Sequence, residues 1–493
     1  MKLNHYPVTL FAIFSLLIAN CTQSPSSQVA PSKPETKILE SSTAISIQDT
    51  EGAAIANAQI LIGDSLNSPF SNNLYTADAK GLVAVPTDWT TTTSLNISAN
   101  GYITASYLHT APGAGIFKLR KQNLSKSVEY SGSTIGYPPF DDYSQAHISL
   151  VFEALKKSEL ANFSLSQMIS PEIDTFSVFG SKVSVPSNLA IPDQILAYIL
   201  PFRFSKPNFH LPLPVQSDHV MVGLHAQFAV ADLVKGSQNK ASIFEMINYF
   251  NFTSFSQQLQ HIDSSDVSRD LDISSQQLYL KNHLQAQKFD PSLSLLVISC
   301  LDQNSGMLPL DIKSGASGGS IDVNTLSSKH SSEKIIGVLK PQNSSSGVSG
   351  AAQELMSIAV HDASDSVLPD QLNMLSAPSF SSNTIKQTLP TATASKIAQA
   401  GIYYSLNAVT SESIAGVVIE SKTPLWDVYN PNWEELASLP NLPSQMTTLN
   451  PNATSPHRWI VNLLGQDHSE VSGLGPDRLK SVNYFSKAAI DLK

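Results

Sequence analysis

From Ala44 onward, apolar and polar residues alternate along this chain. Ala44-Ile45-Ser46-Ile47 is followed by the turn Asp49-Thr50-Glu51-Gly52 and then by Ala58-Gln59-Ile60-Leu61-Ile62; Tyr75–Pro86 and Leu95–Tyr102 continue the pattern. Successive side chains of a strand face opposite sides, so period-two runs broken by Gly, Asp and Asn about every eight to twelve residues predict a β-sandwich. Gly52, Gly81 and Gly101 stand where turns need positive φ. Two segments read differently. His147–Asn162 has apolar residues at 148, 151, 152, 155 and 160, a spacing that predicts a core-packing helix, and Lys240–Phe255 reads as a second helix. Phe176–Val185, Phe202–Leu213 and His219–Val230 read as strands.

Beyond Pro291 the texture is mostly strand and turn. Leu295–Pro309 and Leu355–Pro369 match at an offset of 60 residues, with Leu295, Ile298, Asp302 and Leu308-Pro309 falling on Leu355, Ile358, Asp362 and Leu368-Pro369. Ile414–Glu420 could begin a third copy. Propeller blades would account for such a repeat, and chance similarity between two strand-turn-strand units explains it nearly as well, so an all-β region, propeller or sandwich, is expected.

The first 21 residues, MKLNHYPVTLFAIFSLLIANC, place Lys2 before an apolar run from Val8 to Ala19. That run is too short to span the ~30 Å hydrocarbon core, which takes about twenty helical residues, and it fits an export signal. Leu17-Ile18-Ala19-Asn20-Cys21 resembles the lipobox of bacterial lipoproteins, with Asn20 where a small residue is usual. The resemblance implies cleavage before Cys21, a diacylglycerol on its sulfur and anchoring by two or more acyl chains. Thr22 in place of Asp implies the outer membrane. Residues 22–40, rich in Ser, Pro and Gln, have the composition of a tether.

The order DTEGAAIANAQILI, TADAKGLVAVP, LNISANGYITASY resembles the carboxypeptidase regulatory-like family, small transthyretin-like or Ig-like sandwiches. The resemblance implies that the Asp78–Gly81 turn opens one hairpin and Gly101-Tyr102 closes another. It also implies a spacer or binding surface, with no catalytic residue to carry over. Pro424–Tyr429, Leu439–Pro443 and Arg458–Val461 are similar in texture to large lipoproteins of predatory bacteria, which implies an extracytoplasmic location. The expected organisation is therefore a signal peptide at 1–20, lipidated Cys21 and tether over 21–42, and a sandwich over 43–122. A mixed β domain with helices over 138–290 and a β-rich region over 291–493, propeller or sandwich, complete it.

Composition narrows the chemistry. Only 14% of the 493 residues are charged, and the net charge is −10. That balance argues against nucleic acid, whose phosphates demand clustered Lys and Arg. Two cysteines exclude a disulfide framework, and Cys300, in an apolar run, reads as a buried inert thiol.

Three constellations bear on chemistry. Gly315-Ala316-Ser317-Gly318-Gly319 satisfies G-x-S-x-G, with His361 or His330 as bases, but a nucleophile elbow needs a helix after the serine and none is signalled. A Gly/Ser-rich surface loop accounts for the same run. Asp263, Asp266, Asp270 and Asp272 form a polar stretch that could hold calcium, although the EF-hand spacing is absent and Arg269 intrudes. His219 and His225 share a strand face without a carboxylate third ligand. Phe202, Phe204, Phe209, Trp426, Tyr429 and Trp433 could form a stacking platform or simply pack a β core.

These readings favour a non-enzymatic cell-envelope lipoprotein presenting β modules for binding or adhesion. It would hold the membrane through its lipid, take a protein or carbohydrate ligand, and need no cofactor beyond the calcium candidate. A secreted hydrolase with an accessory sandwich and a structural envelope component are the alternatives.

Overall fold

The computed structural model describes residues 44–492 except 123–126, 139–144, 164–172, 179–180, 191, 193–206, 216, 230, 233–246, 264, 275, 304–305, 327–331, 343–349, 364–366, 369, 390–396, 415–416, 447–455 and 468–474. Cys21, His330, Phe202 and Phe204 lie outside the described residues.

Ala44–Asp49 turns Ile45 and Ile47 inward and pairs antiparallel with Leu82–Ala84 and parallel with Gly115–Leu119. Gln59–Ile62, Leu74–Thr76, Thr93–Ser98 and Thr104–Thr110 form the facing layer. Ile60, Ile62, Leu95 and Ile97 join Ile45, Ile47 and Phe117 in one core. Gly52, Gly81 and Gly101 all have positive φ, and a Cβ on Gly81 would stand 2.6 Å from Ile47 O. The 99–103 turn closes a hairpin between Thr93–Ser98 and Thr104–Thr110. The Asp78–Gly81 turn, expected in a hairpin, instead carries the chain between layers. Leu74–Thr76 pairs with Gln59–Ile62, whereas Leu82–Ala84 pairs with Ala44–Asp49. Asp78 Oδ1 holds this crossover by accepting from Lys80 N and Leu82 N, each at 2.8 Å.

Neither predicted helix forms an α-helix among the described residues; each segment contributes to a strand and a 3-10 turn. His147–Asn162 is covered by the strand Gln145–Glu153 and the 3-10 turn Lys157–Asn162. The strand is buried on both faces, with Ile148 and Phe152 in one cluster and Val151 in another, so the apolar residues lose their period of two and mimic a helix. In the second segment Asn251–Ile262 is a strand, and 240–246 lies outside the described residues. Phe176–Val185 belongs to a hairpin of Ile173–Val178 and Ser181–Pro186. Helical structure among the described residues comes in short pieces such as Pro476–Ser481.

A twelve-stranded sheet forms the spine. Its order is Gly306–Gly315, Leu293–Gln303, Glu333–Pro341, Met356–Asp362, Tyr484–Leu492, His457–Gln466, Ala398–Ile414 and Val417–Asn430, then the four strands of the N-terminal layer. The junction is a parallel pairing of Trp426–Tyr429 with Thr104–Tyr107. Thr43–Lys493 accordingly forms one compact unit. The two matching segments supply Leu293–Gln303 and Met356–Asp362 to this one sheet, with Glu333–Pro341 between them, rather than separate blades. The chain is mainly β, with several sheets and no closed barrel among the described residues.

A six-stranded sheet containing Gln145–Glu153 and Ser217–Ala229 lies between this spine and a smaller sheet built on Ser127–Ile135 and Asn208–Pro214. Val222 and Leu224 pack in the cluster shared with the spine, while Met221 packs with Tyr130 and Phe209 of the smaller sheet.

Candidate ligand cleft

A concavity of about 630 Å³ lies within the size range of small-ligand sites, roughly 300–1,000 Å³. Its floor is the spine: Leu295 and Leu339 stand opposite each other across paired strands, joined by Leu293 and Leu368. One wall is Gln287–Asp290, the other Asp370–Met374. The walls start together at a parallel bridge between Gln285 and Val367, where Leu368 N donates to Gln285 O at 3.0 Å. They then part. Ala286 N and Gln287 O bond the 316–319 turn, while Leu375 N and Asn373 O both bond the Ser486 hydroxyl. Lys288, Asp290 and Asp370 stand exposed at the rim, and Phe289 is half-buried. Asp290 Oδ1 accepts from Ser292 N at 2.8 Å, and main-chain donation from Ser292 lowers its pKa. Among the described residues Gln371 Oε1, buried in the wall, has no hydrogen-bond partner. The amide's Nε2 lies over Gly337, where a Cβ would come within 2.6 Å of it.

Ser317 supports this cleft. Its hydroxyl donates to Phe289 O at 2.7 Å and accepts from Phe289 N at 2.8 Å. The loop joins strands Gly306–Gly315 and Ser320–Leu326, so the strand-to-helix turn of a nucleophile elbow is not formed. His361 packs its ring edge-on to Tyr484, with centroids 5.5 Å apart, and no hydrogen bond joins it to Ser317 among the described residues. The serine acts as a loop staple.

The aspartates do not converge. Asp266 Oδ1 accepts from Glu129 N and Asp270 Oδ1 from Ser133 N, positions four residues and so about 13 Å apart on one strand. Asp272 Oδ1 accepts from Ser274 N and Asp263 pairs with exposed His261, whereas calcium ligands gather within about 2.6 Å of one ion. Among the described residues no group of three or more His, Cys, Asp or Glu could hold a metal ion.

His219 and His225 are likewise apart. His219 Nδ1 lies 2.9 Å from Glu153 Oε1. His225 lies in a buried polar row between the six-stranded and smaller sheets, with Nε2 2.9 Å from His147 Nδ1 and Nδ1 2.9 Å from Thr253 Oγ1. Burial, then the neighbouring His147, pull the His225 pKa down to about 4, so the imidazole is neutral at pH 7. Of the described aromatic candidates, Phe209, Trp426 and Tyr429 are buried, and Trp433 is half-buried with its Nε1 donating to Leu464 O. Cys300 is fully buried, which pushes its thiol pKa up.

No family model matches the chain, and no curated protein matches it. Among solved structures, the Bacillus anthracis TIE protein aligns at 9% identity over 61% of this chain and 44% of its own length, with a TM-score of 0.14. The chain thus spans less than half of that protein, and a score this low carries no argument.

The cleft was not legible in the sequence. Its walls lie some eighty residues apart, and the one local trace was Leu368-Pro369, read there as part of a repeat.

Proposed function

We propose that this chain is a non-enzymatic lipoprotein of the cell envelope, anchored through acylated Cys21, whose β-rich body binds a ligand in the cleft between Gln287–Asp290 and Asp370–Met374. The cleft carries the binding half of this reading: it combines an apolar floor on a rigid sheet with charged and amide groups at its rim, the usual make-up of a recognition site. The apolar run Val8–Ala19 before Leu17-Ile18-Ala19-Asn20-Cys21 supports the anchor. No helix among the described residues is long and apolar enough to cross a membrane.

The two halves have separate tests. Cys21→Ala should end labelled palmitate incorporation and move the protein out of the membrane fraction; retention there without label refutes the anchor. For the cleft, soluble peptides and oligosaccharides are screened by thermal shift against the mature chain and an Asn373→Trp variant that fills the opening. A stabilisation seen only in the unfilled protein supports the reading. No stabilisation by either class, or equal stabilisation of both proteins, refutes it.

A further inference from the structure

The main chain around the cleft is incompletely paired. Leu368 N, Asn373 O and Leu375 N are bonded, but the N–H and C=O groups of Asp370, Gln371 and Leu372 make no hydrogen bond among the described residues. These groups follow directly on a parallel bridge whose two chains then diverge. A third strand lies about 4.8 Å from each neighbour, so parting chains of this kind leave a slot for one. Unpaired main-chain donors and acceptors are the features by which a sheet takes up an extended peptide, and adjacent hollows then select its alternate side chains.

We infer that the cleft takes an extended peptide by strand addition along Asp370–Leu372, seating an aliphatic side chain on the leucine floor and a basic one at the rim between Asp290 and Asp370. This rests on the binding reading above and names its ligand class. The floor of Leu293, Leu295, Leu339 and Leu368 suits an aliphatic side chain; sugar hydroxyls set against it would lose their hydration without gaining partners. Two rim aspartates against Lys288 favour a cationic ligand.

The probe is a displayed library of random linear heptapeptides, selected on the mature chain. Selected sequences should pair an aliphatic residue with a nearby Lys or Arg. Reversing the exposed rim with Asp290→Lys and Asp370→Lys should weaken them at least about tenfold and shift selection toward acidic peptides. N-methylating alternate amides of a selected peptide should abolish binding in one register and spare it in the other. Indifference to N-methylation in both registers, or to rim reversal, overturns strand addition. If only oligosaccharides stabilise the protein, and Asn373→Trp removes that effect, the peptide inference fails while the cleft reading stands. If neither class responds to the filled cleft, both fail.

Discussion

Arg120 pins the end of the strand Gly115–Leu119 to the body through Asp427, and its removal is the most informative perturbation. The guanidinium grips Asp427 bidentately, Nε to Oδ2 and Nη2 to Oδ1, each at 2.7 Å. Tyr403 accepts from Arg120 Nη2 and donates to Asp427 Oδ1, both at 2.8 Å, and Tyr429 donates to Oδ2 at 3.3 Å. Asp427 is 1% exposed. Desolvation works against the guanidinium's charge, but Asp427 outweighs it and raises the pKa, keeping Arg120 protonated. Breaking a buried pair by removing one partner costs about 3–5 kcal/mol, because the survivor is an uncompensated charge. Two phenols would still serve Asp427, and the Arg120 side chain is 21% exposed, so Arg120→Met should cost about 3 kcal/mol. Adding Asp427→Asn removes the stranded charge while keeping an acceptor for Tyr403, and the double variant should recover about 1–2 kcal/mol of that loss. Urea unfolding followed by tryptophan fluorescence reads the event directly, because Trp426 adjoins Asp427, donates to Ser106 Oγ at 2.9 Å and packs on Trp459. A loss below about 1 kcal/mol for Arg120→Met, or a double variant as costly as the two single losses together, would refute the reasoning.

Acid should unfold the protein in two stages. Burial holds His225 and His361 to about 4, below the ordinary 6.5, so the unfolded chain takes up their protons first and stability falls as pH drops from about 6.5 to 4. Each shift corresponds to about 3 kcal/mol, and His361→Phe should flatten this upper stage; an unchanged profile counts against it. Burial raises the Glu354 carboxyl, but Lys487 and Lys422 overcome it and bring it to about 2, below the ordinary 4.5. Its contribution is therefore complete above about 4.5 and lost toward 2, a lower stage that Glu354→Gln should remove from denaturation curves taken across that range. Calcium at millimolar concentration should leave Tm unchanged, because the aspartates serve separate main-chain donors; a site saturated a hundredfold over Kd would add about 2.7 kcal/mol, and a calcium-dependent rise would overturn that assignment.

Much of this protein was written locally. Alternation at Ala44–Ile47 and Gln59–Ile62 specified strands, and Gly81 and Gly101 marked turns, because period and φ are properties of a few neighbouring residues. The same local reading failed at Gln145–Glu153, where burial on both faces erased the alternation, and at Asp78–Gly81, where the turn sequence was right but its strands belong to different layers. Ser317 carried a motif whose meaning depended on what lay nearby, and what lay nearby was the Phe289 main chain.

The β class, several turn positions, the sparse charge and the resemblance of Leu17–Cys21 to a lipobox are legible in composition or short windows. That Thr104 lies beside Trp426, that Arg120 meets Asp427, and that Gln287–Asp290 and Asp370–Met374 enclose a cleft emerges in the folded chain alone. Strand pairing satisfies backbone groups that nearly every residue carries alike, so the choice of partner is made by packing and burial across hundreds of residues, which no local pattern records.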